Sequence, residues 1–562
     1  MFVRKRVKTF LRSPVALGCM AALCGAAFFL SYLSEIPLNP RDISSIFMTN
    51  SNSNDYIQAF LGWHYFRAEE WTWPIGMIKQ YSYLTTTNVI FTDSIPFLAI
   101  LLKLIQKYLP ELFNYLGMWS LGCYMLQGFF AALLLRILAC SRVVCILGSI
   151  FFILSPILFQ RTALIMHTAL SSHWLILAAL YLYVRKGKYS TFLWGGLWIL
   201  TLYVHFYFVV MIGLIYAAWA GKQLWIKKER TYAESVVQIG TILGISILAM
   251  YSLGYFTIGE ARGGGLGGFS MNGISPIMPL RITFTEKINE DFFFLALDAL
   301  NKFKMPSLNL LIAGQFEGFN YLGMGVIVLL GIVAMFSLKN KHRVTLFLKR
   351  NWTLVLAALM LTILALSPII TIGNYYVGIP VPSWLISLWS IVRASGRLFW
   401  PVNYLLILVG VVGIQRLFKQ RVAVIILLIA LGVQVWDGHE FYSLGKKKFV
   451  KNIIQPSTQW ETVLSKYDHV FYMPTKQNYA KMSYIFLKSR PLLNYIKIAR
   501  HHDFIKLEKD FTKEMTAFYN GQGEKNRLYI LEKSEYALKE KSLRNYQNKC
   551  IDGLIVCFSK IR

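Results

Sequence analysis

Repeated apolar runs of about 18 to 22 residues constrain this chain more than any other feature, because each is long enough to cross a ~30 Å hydrocarbon layer as a helix. Only 15% of the 562 residues are charged and 56% are hydrophobic, whereas a soluble domain carries roughly a quarter charged residues. The sequence therefore predicts an α-helical polytopic membrane protein. A disordered chain, a disulfide-stapled secreted module and a soluble multidomain enzyme are excluded together.

The net charge of +30 would suit a nucleic-acid binder if the basic residues were clustered on one surface. Their placement points elsewhere. About 22 of the 58 Lys and Arg fall in six short segments, while about 13 fall in the much longer alternate loops, the asymmetry of the positive-inside rule. Arg4, Lys5, Arg6, Lys8 and Arg12 precede a first span at about Pro14 to Leu33, which puts the N-terminus in the cytoplasm and reads as an uncleaved span. Further spans are expected near 113–138, 143–160, 168–184, 189–204, 205–220, 233–254, 321–338, 352–372, 399–416 and 422–436, about eleven in all. Residues 94–108 are apolar but short and interrupted by Lys103 and Lys107, so they are expected to lie along the interface or re-enter.

This topology divides the chain into a transmembrane module at 1–436, with outer loops at about 34–111 and 255–320, and a tail at 437–562. The tail reads as a small extracytoplasmic α/β domain, with strands at HVFYMP, RLYILE and LIVCF and helices near 457–466, 478–488 and 503–519. Cys550 and Cys557 are the pair within it that a disulfide would join. The expected home is a bacterial plasma (inner) membrane, crossed many times.

Acidic residues of the membrane module fall almost entirely on its outer side, Asp55, Asp93 and Glu317 among them. A transporter relaying ions needs ionisable groups inside its spans, and these spans are nearly free of them. No HExxH, CxxC or Walker-type loop occurs. No cluster has metal-ligand spacing, so no metal is assigned, although a divalent cation on Asp55 and Asp93 is compatible with their chemistry. The first outer loop carries the densest signal: Asp55 opens an amphipathic helix and suits its N-terminus, and aromatic residues including Trp63 and Tyr65 crowd the same stretch. Interfacial anchoring is the plain reading of those rings, and sugar stacking the functional one.

The order of these parts resembles the GT-C superfamily of integral-membrane glycosyltransferases: a cytoplasmic start, one span, a long outer loop with an early Asp, interfacial helices, many spans and a terminal outer domain. The resemblance implies a sugar donor carried on a polyprenyl phosphate and a first-loop carboxylate as catalytic base. It places that base at Asp55, and the TDSIP segment makes Asp93 a second catalytic candidate. A carboxylate taking the acceptor proton during attack needs fixed cations beside the leaving phosphate. Arg393 and Arg397, spaced i and i+4 around the small ASG triplet, are the first candidates for donor-phosphate binding, joined by Arg161 and His167 of QRTALIMHTALSSHW. His205 ranks lower, and Glu317 is read as an acceptor contact alongside Trp63 and Tyr65. Gly263 to Gly268 suit a cover over the site.

The expected activity is transfer of a sugar from a polyprenyl-phosphate donor to a lipid-linked or surface glycan at the outer face, with membrane lipids and no nucleic acid as partners. The competing readings are a transporter or flippase of lipid-linked saccharides and a non-enzymatic envelope assembly factor.

Overall fold

The computed structural model describes residues 13–33, 36, 38–43, 54–79, 86–187, 190–256, 266–278, 315–373, 375–449, 457–464, 466–467, 469–473, 504–524, 527–533, 536–537, 540–544, 546–551 and 554–559. The basic N-terminal cluster, Gly263–Gly265 and the expected helix at 478–488 lie outside them.

Among the described residues seven helices are long and apolar enough to cross a membrane: Pro14–Tyr32, Leu116–Ile137, Phe206–Ile226, Tyr232–Leu253, Lys341–Leu366, Ser395–Leu417 and Gln420–Gly445. The protein is thus an α-helical membrane protein. An eighth candidate is broken, with Arg142–Ile153 and Pro156–Leu164 meeting at 44°, because Pro156 can neither donate to the helix ladder nor fit against the preceding turn. Thr168–Val184, Ser190–Val204 and Met324–Leu338 are apolar but shorter. The expected figure of about eleven is reached only by counting the broken pair and these three as crossings.

Local sequence explains where the helices begin and end. Ser13 Oγ accepts from Ala16 N at 3.1 Å ahead of Pro14, and Thr231 with Glu234 forms a reciprocal capping box at 2.8 and 3.2 Å. Gly254, at φ 88°, closes that helix in the left-handed region. Helix-to-helix packing depends on small residues: a Cβ on Gly25 or Gly128 would strike the backbone of Tyr124 or Ala21, so Pro14–Tyr32 and Leu116–Ile137 lie backbone against backbone.

The two ends of the bundle differ chemically. At one end the basic connectors meet: Lys222 Nζ donates to Asn351 Oδ1 at 2.9 Å and Arg230 Nη2 to Thr191 Oγ1 at 2.8 Å. The outer-loop residues gather at the other. There the helix Pro96–Leu104 has nine residues, too few to cross, and its Lys103 is buried with Nζ 4.0 Å from the Phe66 ring and 4.6 Å from that of Trp71.

The last long helix runs from Gln420 to Phe449, so the expected boundary at 436/437 falls inside it. Asp437, the first residue of the expected tail, is buried: it accepts from Tyr321 OH at 3.0 Å and from Met324 N at 2.9 Å, capping the helix Met324–Leu338 from the side. Beyond it, strands His469–Met473, Arg527–Glu532, Leu554–Ser559 and Tyr546–Ile551 form one sheet in that order, the first pair parallel and the others antiparallel. Helices Gln459–Leu464 and Phe504–Tyr519 accompany it. Cys550 and Cys557 are free thiols: on the paired strands Cys550 stands opposite Ile555 and Cys557 opposite Asn548, so no disulfide joins them.

Candidate functional site

Six segments converge at the end of the bundle away from the basic connectors. The first-loop helix Asn54–Ala68 supplies Asp55 and Gln58, and the TDSIP turn supplies Asp93. The broken span supplies Arg161 from the π-helical turn Gln160–Leu164 and His167 just after it. His205 is the hinge between Ser190–Val204 and Phe206–Gly221. Glu317 comes from the turn Gln315–Gly318, and Arg393 and Arg397 precede the helix Trp400–Leu417. A cavity of about 270 Å³ is lined by Asp55, Gln58, Asp93, His167, His205, Glu317, Arg393 and Arg397.

Two polar clusters form its walls. In the first, Arg397 grips Glu317 with Nε to Oε2 at 2.9 Å and Nη2 to Oε1 at 2.8 Å. Arg161 approaches from behind, fully buried, with Nη1 2.5 Å from Oε2 and Nη2 donating to the Glu317 carbonyl at 3.0 Å. Burial works to raise the Glu317 carboxyl, but Arg161 and then Arg397 outweigh it and hold it well below the usual carboxylate range. Close backbone approach makes this pairing geometry reachable: a Cβ on Gly396 would lie 2.5 Å from Gly318 Cα, so only glycine lets the arginine turn back onto the glutamate turn. The Arg393 guanidinium lies 5.8 Å from the Phe269 ring. Asp55 lies within electrostatic reach of Arg161 and Arg397.

In the second cluster, Asp93 sits between His167 and His205, each Nε2 being 3.3 Å from a carboxylate oxygen. Gln58 Nε2 donates to Asp93 Oδ2 at 3.1 Å. Burial would raise the Asp93 carboxyl, yet His167 foremost and His205 after it hold it well below the usual range. Burial pushes His205 down to about 4 against the pull of Asp93, so His205 meets Asp93 as a neutral imidazole. Its Nδ1 accepts from Tyr207 N at 3.2 Å. The backbone here is strained: Asp93 and Ile95 adopt φ 59° and 51°, a region costly for a β-branched residue. Ser94 Oγ donating to Ala59 O at 2.7 Å, and Tyr115 OH donating to Ser94 O, hold the turn in place. Met166, next to His167, has φ 59° as well.

Most of the expected site residues therefore come together, though not in the expected roles. Arg161 and Arg397 spend much of their forks on Glu317, which makes Glu317 their counter-ion. Asp93 already accepts from up to three donors, an arrangement unfavourable to a proton acceptor; Asp55 is the carboxylate that lines the cavity outside both clusters. Trp63 and Tyr65 are buried and outside the cavity lining: Trp63 Nε1 donates to Phe113 O at 2.8 Å and its ring meets Tyr115 edge-on, so both rings are core. His173 is structural too, with Nδ1 2.7 Å from Tyr404 OH and its ring stacked on Trp400.

Sequence reasoning missed Gln58 and undervalued His205. His205 did leave a signal, being the sole His, Asp, Glu, Lys or Arg between Ser190 and Gly221. Gln58 left none beyond lying one helical turn after Asp55. Among the described residues, Asp93, His167 and His205 are the group whose donor atoms could share a metal ion. A family model described as a domain of unknown function (DUF6311) matches residues 22–439, a stretch that holds every one of these groups. No curated protein matches the chain.

Proposed function

The chain belongs to the DUF6311 family, and from that premise we propose that it is an integral-membrane glycosyltransferase of GT-C type, moving a sugar from a polyprenyl-phosphate donor to a lipid-linked or surface glycan. The observation that carries this reading is the cavity itself: Asp55, on a first-loop helix, faces a wall rich in guanidinium at one end of a membrane-embedded bundle. A hydroxyl acceptor needs a positioned base, and a phosphate leaving group needs fixed positive charge. In this reading Asp55 takes the acceptor proton as the oxygen attacks the anomeric carbon, and the C–O bond to the donor phosphate breaks. Arg393, in the cavity lining, meets the departing phosphate, while Arg397 and Arg161 supply the surrounding field.

The accompanying topology has about eleven crossings, a cytoplasmic N-terminus and basic connectors, and the cavity with the C-terminal α/β domain outside. The segregation of the basic connectors from the cavity supports it. The test is to extract lipid-linked saccharides and surface glycans from cells lacking the protein, restored with wild type or Asp55→Asn, and compare them by mass spectrometry. Loss of one sugar unit with accumulation of a polyprenyl-phosphate sugar, uncorrected by membrane-inserted Asp55→Asn, is expected. Full restoration by Asp55→Asn removes it as the base, and an unchanged profile in the deletion overturns the reading.

A further inference from the structure

We propose that Asp93, His167 and His205 form a binding site for a divalent transition-metal ion of the zinc type, a site that stands whether or not the protein transfers sugar. The three residues come from separate segments, and their donor atoms all lie within 4.8 Å of one another. His167 Nε2 and His205 Nε2 are each 3.3 Å from an oxygen of the same carboxylate. Two donors on one tetrahedral ion, with bonds of about 2.0–2.2 Å, stand about 3.3–3.5 Å apart. With one Asp93 oxygen as ligand, its 3.3 Å contact to one imidazole already matches the edge of a coordination tetrahedron, and the other donor pairs lie within 4.8 Å.

Donor chemistry selects the ion. Two imidazoles and one carboxylate suit zinc and its neighbours, whereas magnesium and calcium favour shells of oxygen alone. Three protein ligands leave a fourth position open, and all three line the cavity that Asp55 and Arg393 also line. The carboxylate ligand has an outer-shell partner: Gln58 Nε2 donates to it from 3.1 Å. The turns that carry Asp93 and His167 hold left-handed non-glycine residues, Asp93 itself and Met166, strain of the kind that clusters at ligand sites. Coordination through Nε2 leaves each ring proton on Nδ1. His205 then gives up its contact with Tyr207 N, exchanging one ordinary hydrogen bond for a metal bond.

Charge permits the ion. Asp55, Asp93 and Glu317 formally balance Arg161, Arg393 and Arg397, so a dication held by neutral imidazoles makes the cavity positive and ready for an anion in the open position.

The test uses the full-length protein in detergent, stripped with a chelator and titrated with zinc or cobalt(II). Wild type is expected to retain one equivalent of zinc after gel filtration, by elemental analysis, and to give the intense visible absorption of tetrahedral cobalt(II). His167→Ala and His205→Gln are each expected to cut retained zinc at least tenfold, while Arg393→Gln, outside the donor set, keeps one equivalent. Folding is checked apart from metal by comparing the thermal unfolding of each variant with that of stripped wild type. Failure of stripped wild type to take up zinc or give the cobalt spectrum overturns the proposal. Full retention by a folded Asp93→Asn/His167→Ala/His205→Gln variant overturns it equally, since the ion then lies elsewhere.

Discussion

Arg397 and Glu317, eighty residues apart in sequence, meet in a two-pronged ion pair with both contacts under 3 Å, and the pair is buried at the wall of the cavity. Because Arg161 closes on the same carboxylate from within the protein, Glu317 joins the broken span to the helix Trp400–Leu417. A buried cluster of this kind is costly to assemble and costlier to break, since removing one partner leaves a charge without compensation.

Glu317→Ala is therefore expected to destabilise the protein by about 3–5 kcal/mol, read as a fall in thermal unfolding temperature in detergent. Arg393→Ala removes a half-buried guanidinium over the Phe269 ring rather than a buried carboxylate, and should cost less. Equal losses from the two variants would count against the assignment of Glu317 as counter-ion.

The pH dependence of that cluster follows from the depressed Glu317 carboxyl. The unfolded group titrates near the ordinary value of about 4.3, while the folded one stays ionised well below it. Its stabilisation is complete above about pH 5 and is lost progressively as the pH falls from the unfolded value towards the folded one. The stability gap between wild type and Glu317→Gln should stay constant from pH 8 to about pH 5 and narrow below that.

Gly396→Ala should weaken the same contact without touching a charge. The added Cβ would meet Gly318 Cα, so one of the two turns must retreat, at about 1–3 kcal/mol as for other overpacked sites. A stability equal to that of wild type would show that the turns do not lie back to back.

Asp437 offers a prediction away from the site. Asp437→Leu strands Tyr321 OH and Met324 N, both bonded to the carboxylate, and is expected to destabilise by about 1–3 kcal/mol for each orphaned group. Thermal unfolding reads the size of the effect.

If the proposed chemistry holds, Asp55→Asn lowers the rate of transfer by about 10²–10⁴-fold, the usual worth of a positioned general base, with little change in unfolding temperature. Asp93→Asn should behave differently, disturbing the TDSIP turn and any ion bound between the histidines. Rate and metal content measured on both variants separate the roles.

Sequence alone determined that this is a helical membrane protein, because the length and apolarity of a span are properties of one contiguous segment and need no tertiary partner. It also singled out Asp55, Asp93, Arg161, His167, Glu317, Arg393 and Arg397, since charge is scarce in such a chain and scarcity draws attention to each group. Only the tertiary structure decided which of them touch. Glu317 becomes a counter-ion, Asp93 becomes a carboxylate ringed by Gln58, His167 and His205, and Trp63 and Tyr65 withdraw into the core, because these outcomes depend on helix crossings and backbone approaches between residues far apart in the chain. That the last long helix continues past Asp437 was decided in the same way. A lone Asp437 reads as a boundary by its charge, and its hydrogen bonds to Tyr321 and Met324 make its burial affordable.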